Sequence, residues 1–326
     1  MSASDLSELT AARYGKTKVR VFRIVRQGTW HHIVEYNVEA LLEGEISTSY
    51  TKADNSVVVA TDSIKNITYY LAKISPHILN PEKFALHLAT FLVSKYAHIT
   101  KAFVTVEQLR WSRIHVAGEE SPEGHPHSFY RDGDDKRVVR VEVDATFGKD
   151  KLVGKVTAGL SDLLVLKSTG SSFTKFHRDE YTTLVEVDDR IFSTSIDLSY
   201  TFSDISISAP ADEKKLEFIV PLQQGEPGYK GSVWDEDVPS RARTATLETF
   251  AVDESASVQA TLYKMAQRII AENALVQSVT YALPNKHYVP VDMRYLGVDN
   301  LTPAKAEVFV PIAAPSGLIT ATISRK

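Results

Sequence analysis

The chain has 326 residues, 43% of them apolar and 24% charged, and 37 basic side chains against 41 acidic ones leave a net charge of −4. That composition is globular, and the balance of charge gives no reason to expect a nucleic-acid or anionic-membrane partner. Cysteine is absent, which excludes disulfides, thiolate nucleophiles, iron–sulfur clusters and cysteine-bound zinc.

In chain order, Val19, Val21 and residues 22–25 lead through a turn at Gly28 into residues 33–42, two β-branched and aromatic runs that read as strands. Residues 57–61 form a short apolar run, expected as a strand buried on both faces. Pro81 opens a helix whose apolar set, Phe84, Leu88, Phe91 and Leu92, follows i, i+4, i+7, i+8 spacing. Residues 104–114 are expected as a strand and 118–137 as a charged loop. Val139, Val141 and Val143 then alternate with Arg140, Glu142 and Asp144 as a strand.

The second half repeats this order. Strands are expected at residues 162–166, 182–187 and 191–201, followed by an irregular surface excursion over 204–243. A helix begins near Ser257, with Val258, Leu262, Met265 and Ile269 on one face. Residues 279–283, 288–293, 308–311 and 318–323 read as strands. Strands, helix, strands, twice over, predict a tandem α+β duplication.

Motif grammar adds little. Gly15-Lys16-Thr17 lacks the earlier glycine of a phosphate loop, and no Gly-x-Gly-x-x-Gly, Gly-x-Ser-x-Gly or His-Glu-x-x-His occurs. The adjacent His31 and His32, and the pair His125 and His127 around Pro126, read as exposed histidines, so no metal is expected. No apolar run reaches the ~20 residues that span a bilayer, and residues 1–10 lack a signal-peptide core, so an intracellular protein is expected.

Eight blocks in order carry a more specific signal. They are ARYGK (residues 12–16), EGEISTSYTKADNSVVVATDSIKN (43–66), HPHSFYRD (125–132), LKSTG (166–170), RDEYTTL (178–184) with Asp189-Arg190, SASVQATLYKM (255–265), LPNKHY (283–288) and GLI (317–319). Together they resemble the urate oxidase, or uricase, family. The resemblance implies an α+β tandem tunnelling-fold duplication, with antiparallel sheets carrying helices on one face, that assembles into a barrel. Its repeats would occupy residues 11–160 and 161–326, after a mobile tail of residues 1–10. Residues 204–243 match poorly, and nothing is transferred there.

The same resemblance implies a cofactor-free oxidation of urate by O2 and water to 5-hydroxyisourate and hydrogen peroxide, with no metal. Arg190 would fork onto the anionic edge of urate, Gln259 would supply an amide, and Phe173 would stack on the ring. The backbone N–H groups of Val258 and Asp62 would add donors. Lys16, Thr61 and His287 would form the catalytic proton relay, Thr61 also touching substrate, with Asn285 beside the oxygen or water. A lysine in that role needs its pKa lowered by burial or a nearby cation. The partners implied are urate, O2 and three further copies of the chain, with sites shared between subunits. Cytoplasmic location is expected, since the chain ends Ile323-Ser324-Arg325-Lys326 without a Ser-Lys-Leu tripeptide. The competing expectation is a pterin- or purine-binding protein of the same fold without oxidase activity.

Overall fold

The computed structural model describes residues 6–118, 122–220 and 235–326, which fall into two units, Met1–Ala158 with Phe202–Trp234 and Gly159–Thr201 with Asp235–Lys326. In the first, β1 (Tyr14–Gln27) and β2 (Trp30–Gly44) form a hairpin that turns at Gly28, where φ is +62° and a side chain would be strained. β2 pairs β3 (Ile99–Arg113) and β3 pairs β4 (Phe129–Asp144), all antiparallel. β5 (Lys151–Lys167) lies beside β4, and its first residues pair β7 (Ile205–Ser208).

One sheet face is apolar by alternation. Val34, Tyr36, Val38, Ala40 and Leu42 of β2 are all buried, and so are Ala102, Val104 and Val106 of β3. Helices cover this face. After the one-turn α1 (Ser47–Thr51), α2 (Thr61–Ile74) packs on β1, and α3 (Pro81–Lys95) packs on β3 and β4. Pro81 at its first turn and the Asn80 side chain, which accepts the Lys83 N–H at 3.0 Å, start α3. Its far end is closed by Lys149, whose ammonium donates to the carbonyls of Val93 (2.7 Å), Tyr96 (3.2 Å) and Ile99. α3 also carries two buried polar groups. Glu82 is met by Arg137 at 2.6 and 2.5 Å, and His87 lies between the Ser75 hydroxyl and the Lys215 carbonyl, each 2.8 Å away.

The second unit contains the end of β5, β6 (Phe192–Thr201), β8 (Ser278–Pro290) and β10 (Leu318–Ser324) in that order, with β9 (Phe309–Ile312) paired to β8. It also holds α4 (Val238–Val252) and α5 (Val258–Glu272). α5 buries Val258, Leu262, Met265 and Ile269, the face expected from its spacing, and its Ser257 cap accepts the Ala260 N–H at 3.1 Å. Arg325 closes the other end of α5, donating to the carbonyls of Ile270 and Asn273 at 2.7 Å and of Val276 at 2.9 Å.

The fold is α+β, with antiparallel strands and helices. Several local expectations are corrected. Residues 57–61 are not a strand; they run from a 3₁₀ turn into the first residue of α2. Residues 182–187 are irregular apart from one bridge between Phe173 and Val187. The charged segment 129–137 is the start of β4 rather than loop, because its charges pair across strands: Arg110 binds Asp132 (2.9 Å) and Asp135 (2.8 Å), and Arg131 binds Glu35 (2.7 Å). The excursion over 204–243 contains β7 and the first turn of α4, while residues 221–234 lie outside the described residues. Residues 279–283 and 288–293 belong largely to one strand, β8, which ends at Pro290. Of the N-terminal tail, residues 6–10 carry no helix or strand, and 1–5 lie outside the described residues. Among the described residues no helix is long and apolar enough to cross a membrane.

Candidate functional site

The residues singled out from the sequence fall into two groups, one in each unit. In the first unit, Lys16 follows Gly15, whose missing Cβ is required because it would lie 2.0 Å from the Ala40 carbonyl oxygen. The β1–β2 register then shifts between Lys16 and Val19, with Lys18 at φ +57°. This bulge turns the start of β1 out of the regular ladder. The Tyr14 hydroxyl accepts the Val59 N–H at 2.7 Å and ties the approach to α2 against β1. Thr61 and Asp62 are the first two residues of α2, which has no side-chain cap, so their N–H groups have no partner within the helix. Lys65 beside Asp62 holds that carboxyl below its ordinary range, and the Lys16 charge adds to the effect. Lys16, Thr61 and Asp62 are thus brought together.

In the second unit, Arg190 and Phe173 meet, the guanidinium lying 5.1 Å from the ring centroid. Burial pushes the Arg190 pKa down, and its buried Nε has no hydrogen-bond partner among the described residues. A cation so placed is ready for an anion. The backbone around it is stitched tightly. The Arg190 N–H donates to the Ser171 carbonyl at 2.8 Å, and Phe173 and Val187 exchange two hydrogen bonds at 2.8 and 3.1 Å. The Ser255 N–H donates to the Gly170 carbonyl at 3.0 Å, and the Ser172 N–H returns to the Ser255 carbonyl at 2.8 Å.

Ser255 stands just before α5, whose first residues are Val258, buried, and Gln259, exposed. The lead-in to that helix is fixed by Asp253. Its carboxyl takes the Thr261 hydroxyl at 2.7 Å and the Lys264 ammonium. Burial alone would raise the Asp253 pKa, but these donors outweigh it and hold it low.

A cleft of about 910 Å³ is lined by Arg190, Asp189, Lys286, His287, Tyr288 and Phe309, among others. Arg190 and His287 therefore share a cavity. Asn285 does not line it, although it lies two residues before His287 on β8; its Oδ1 is buried without a partner among the described residues, and its N–H donates to the Gly317 carbonyl at 2.8 Å. Phe173, Val258 and Gln259 are not on the cleft wall either. The imidazoles of His125 and His127 meet edge to face at 4.5 Å, and His31 lies 5.9 Å from His127. Among the described residues, however, no group of three or more His, Asp or Glu is arranged to hold a metal ion.

No site role follows from the sequence for Tyr14, Asp253 or Ser255, although Tyr14 and Ser255 lie inside the family blocks. A sequence model of the uricase family matches residues 12–142 and 156–320. The uricase of Aspergillus flavus is 44% identical over 323 residues, covering 98% of both chains. The chain belongs to the uricase family. The uricase of Schizosaccharomyces pombe is 41% identical over 326 residues, covering 99% of this chain and all of the other. The crystal structure of the Arthrobacter globiformis uricase matches with a TM-score of 0.79 at 30% identity, covering 98% of this chain and 96% of that one. Uricase-family membership makes this chain an oxidoreductase.

Proposed function

We propose that the chain is a urate oxidase whose active site draws Lys16, Thr61 and Asp62 from one subunit and Phe173, Arg190, Val258, Gln259, Asn285 and His287 from a neighbour. The observation that carries this reading, beside family membership, is the half-buried Arg190 guanidinium, whose buried Nε has no partner among the described residues, above an aromatic ring. A flat, anionic, electron-rich purine satisfies both at once: its negative edge takes the N–H fork and its face stacks on Phe173. Gln259 gives and accepts a hydrogen bond, and the N–H groups opening α2 and α5 add donors with helix-dipole support.

The reaction is urate plus O2 plus water to 5-hydroxyisourate plus hydrogen peroxide. Urate is itself the reductant, so the protein's work is to bind the anion, move protons and place O2 and then water. Lys16 takes the proton that Thr61 passes on, His287 completes the relay, and Asn285 holds the oxygen or water. A shared site requires an oligomer. A homotetramer of tandem tunnelling-fold repeats, residues 11–160 and 161–326, closing into a barrel in the cytoplasm, accounts for two incomplete groups on each chain.

The test is direct: urate is added aerobically with excess chelator, and ultraviolet loss is followed together with hydrogen peroxide. Equimolar peroxide and urate loss are expected. Binding of urate without any turnover would instead identify the purine-binding protein without oxidase activity.

A further inference from the structure

Asp189 precedes Arg190 in the chain, and among the described residues its carboxylate makes no ion pair with the Arg190 guanidinium, on which burial alone acts. The Asp189 carboxylate instead takes the Thr169 hydroxyl at 2.5 Å, the Gly170 N–H at 2.8 Å and the Ser171 N–H at 3.4 Å. Gly170 presents its N–H from a left-handed conformation, φ +78°, that suits glycine.

The loop so held is a junction. Ser171 fixes the Arg190 backbone, Phe173 stands two residues further on, and Gly170 and Ser172 are hydrogen-bonded to Ser255, three residues before Val258. The aromatic face, the cation and the lead-in to α5 therefore all hang from a loop gathered by one carboxylate.

We propose that Asp189 is a positioning residue for substrate: it gathers residues 169–171 with its carboxylate and, because that carboxylate is engaged by the loop rather than by the Arg190 side chain, leaves the guanidinium free for the substrate anion. The inference rests on the urate-binding reading above. The donors around it, led by the Thr169 hydroxyl, also hold the Asp189 carboxyl below its ordinary range, so it stays ionised through neutral pH.

The test uses Asp189→Asn, whose amide turns an N–H toward at least one of these donors, and Thr169→Val, which deletes one donor at an exposed position and leaves the fold intact. Both are expected to raise the KM for urate, and its Kd measured without oxygen, roughly tenfold, the effect of one charge-assisted hydrogen bond lost from a binding loop. kcat should stay within about twofold, and Thr169→Ser should restore parental KM. In the parent, KM should climb only at acidic pH, as Asp189 protonates; in Asp189→Asn it is raised throughout. A parent that oxidises urate while both variants keep parental KM and Kd overturns the positioning role and leaves the proposed function standing. So does a loss confined to kcat. A parent that neither binds nor oxidises urate overturns both.

Discussion

Replacing Arg190 with methionine should weaken urate binding without weakening the fold. In the free protein the guanidinium is half buried and its Nε unpartnered, so a partly desolvated charge sits there with nothing to neutralise it. A charge-assisted hydrogen bond contributes about 1.5–3 kcal/mol, and a guanidinium fork on an anionic edge makes two. Half exposure and solvent screening discount the sum to about 3 kcal/mol, a factor of roughly 150 in affinity. Methionine keeps the aliphatic stem and loses only the guanidinium above Phe173, so little packing is lost. Urate titrated calorimetrically in oxygen-free buffer gives Kd, steady-state assays give kcat and KM, and a thermal melt reports the fold. The expected outcome is Kd raised about 150-fold with a melting temperature that does not fall. Arg190→Lys should recover only part of the affinity, because an ammonium is a point charge without the planar fork. Undiminished affinity in the methionine variant, or a melting temperature several degrees lower, would refute the assignment of Arg190 as an anion site held open.

Other expectations follow from the same geometry. Lys16→Met should lower kcat by ~10²–10⁴-fold with KM little changed, and a rise in KM alone would remove Lys16 from the relay. Thr61→Ala and Arg190→Ala, each nearly inactive, should regain about a quarter of parental activity when co-expressed, since half of random pairs are mixed and each mixed pair has one intact site; inactivity of demonstrably mixed oligomers would exclude shared sites. Arg137→Met strands the buried Glu82 carboxylate and should cost about 3 kcal/mol in urea unfolding, with Glu82→Gln in the same chain recovering part of it; a loss under about 0.5 kcal/mol would show that Glu82 is hydrated. Burial lowers the His87 pKa; the hydrogen bond to the Lys215 carbonyl and the Glu217 charge oppose that without reversing it. Its neutral ring accepts from Ser75 and donates to the Lys215 carbonyl, so the unfolded chain binds the extra proton. Stability should therefore fall as pH drops below about 6.5, by at most about 1.4 kcal/mol per pH unit, and His87→Gln should flatten that slope.

What the sequence displayed and what it hid follow physical lines. α3 and α5 were legible because their inward faces are large apolar residues at helical spacing, marked by Pro81 and Ser257. α2 was not, because two of its four buried positions are Thr68 and Ala72 and the apolar run before it imitates a strand. The start of β4 reads as FYRDGDDK, polar enough for a loop until the cross-strand ion pairs are seen. The candidate site residues came from family resemblance; single-sequence chemistry would have left Arg190 a surface cation. The direction in which Asp189 turns could not be read at all, since both the backbone loop and Arg190 offer it donors.

The cations that close α3 and α5 bear on how this protein is handled. Lys149 and Arg325 each gather three carbonyls at a helix end, one in each unit, although they arrive from unrelated stretches of chain. The Arg325 guanidinium works as a latch on the last turn of α5. Arg325→Ala should therefore fray the last turn of α5, visible as faster amide exchange there. Exhaustive acetylation with the fold loosened should likewise fray α3 through Lys149, whereas guanidination, which keeps the charge, should not.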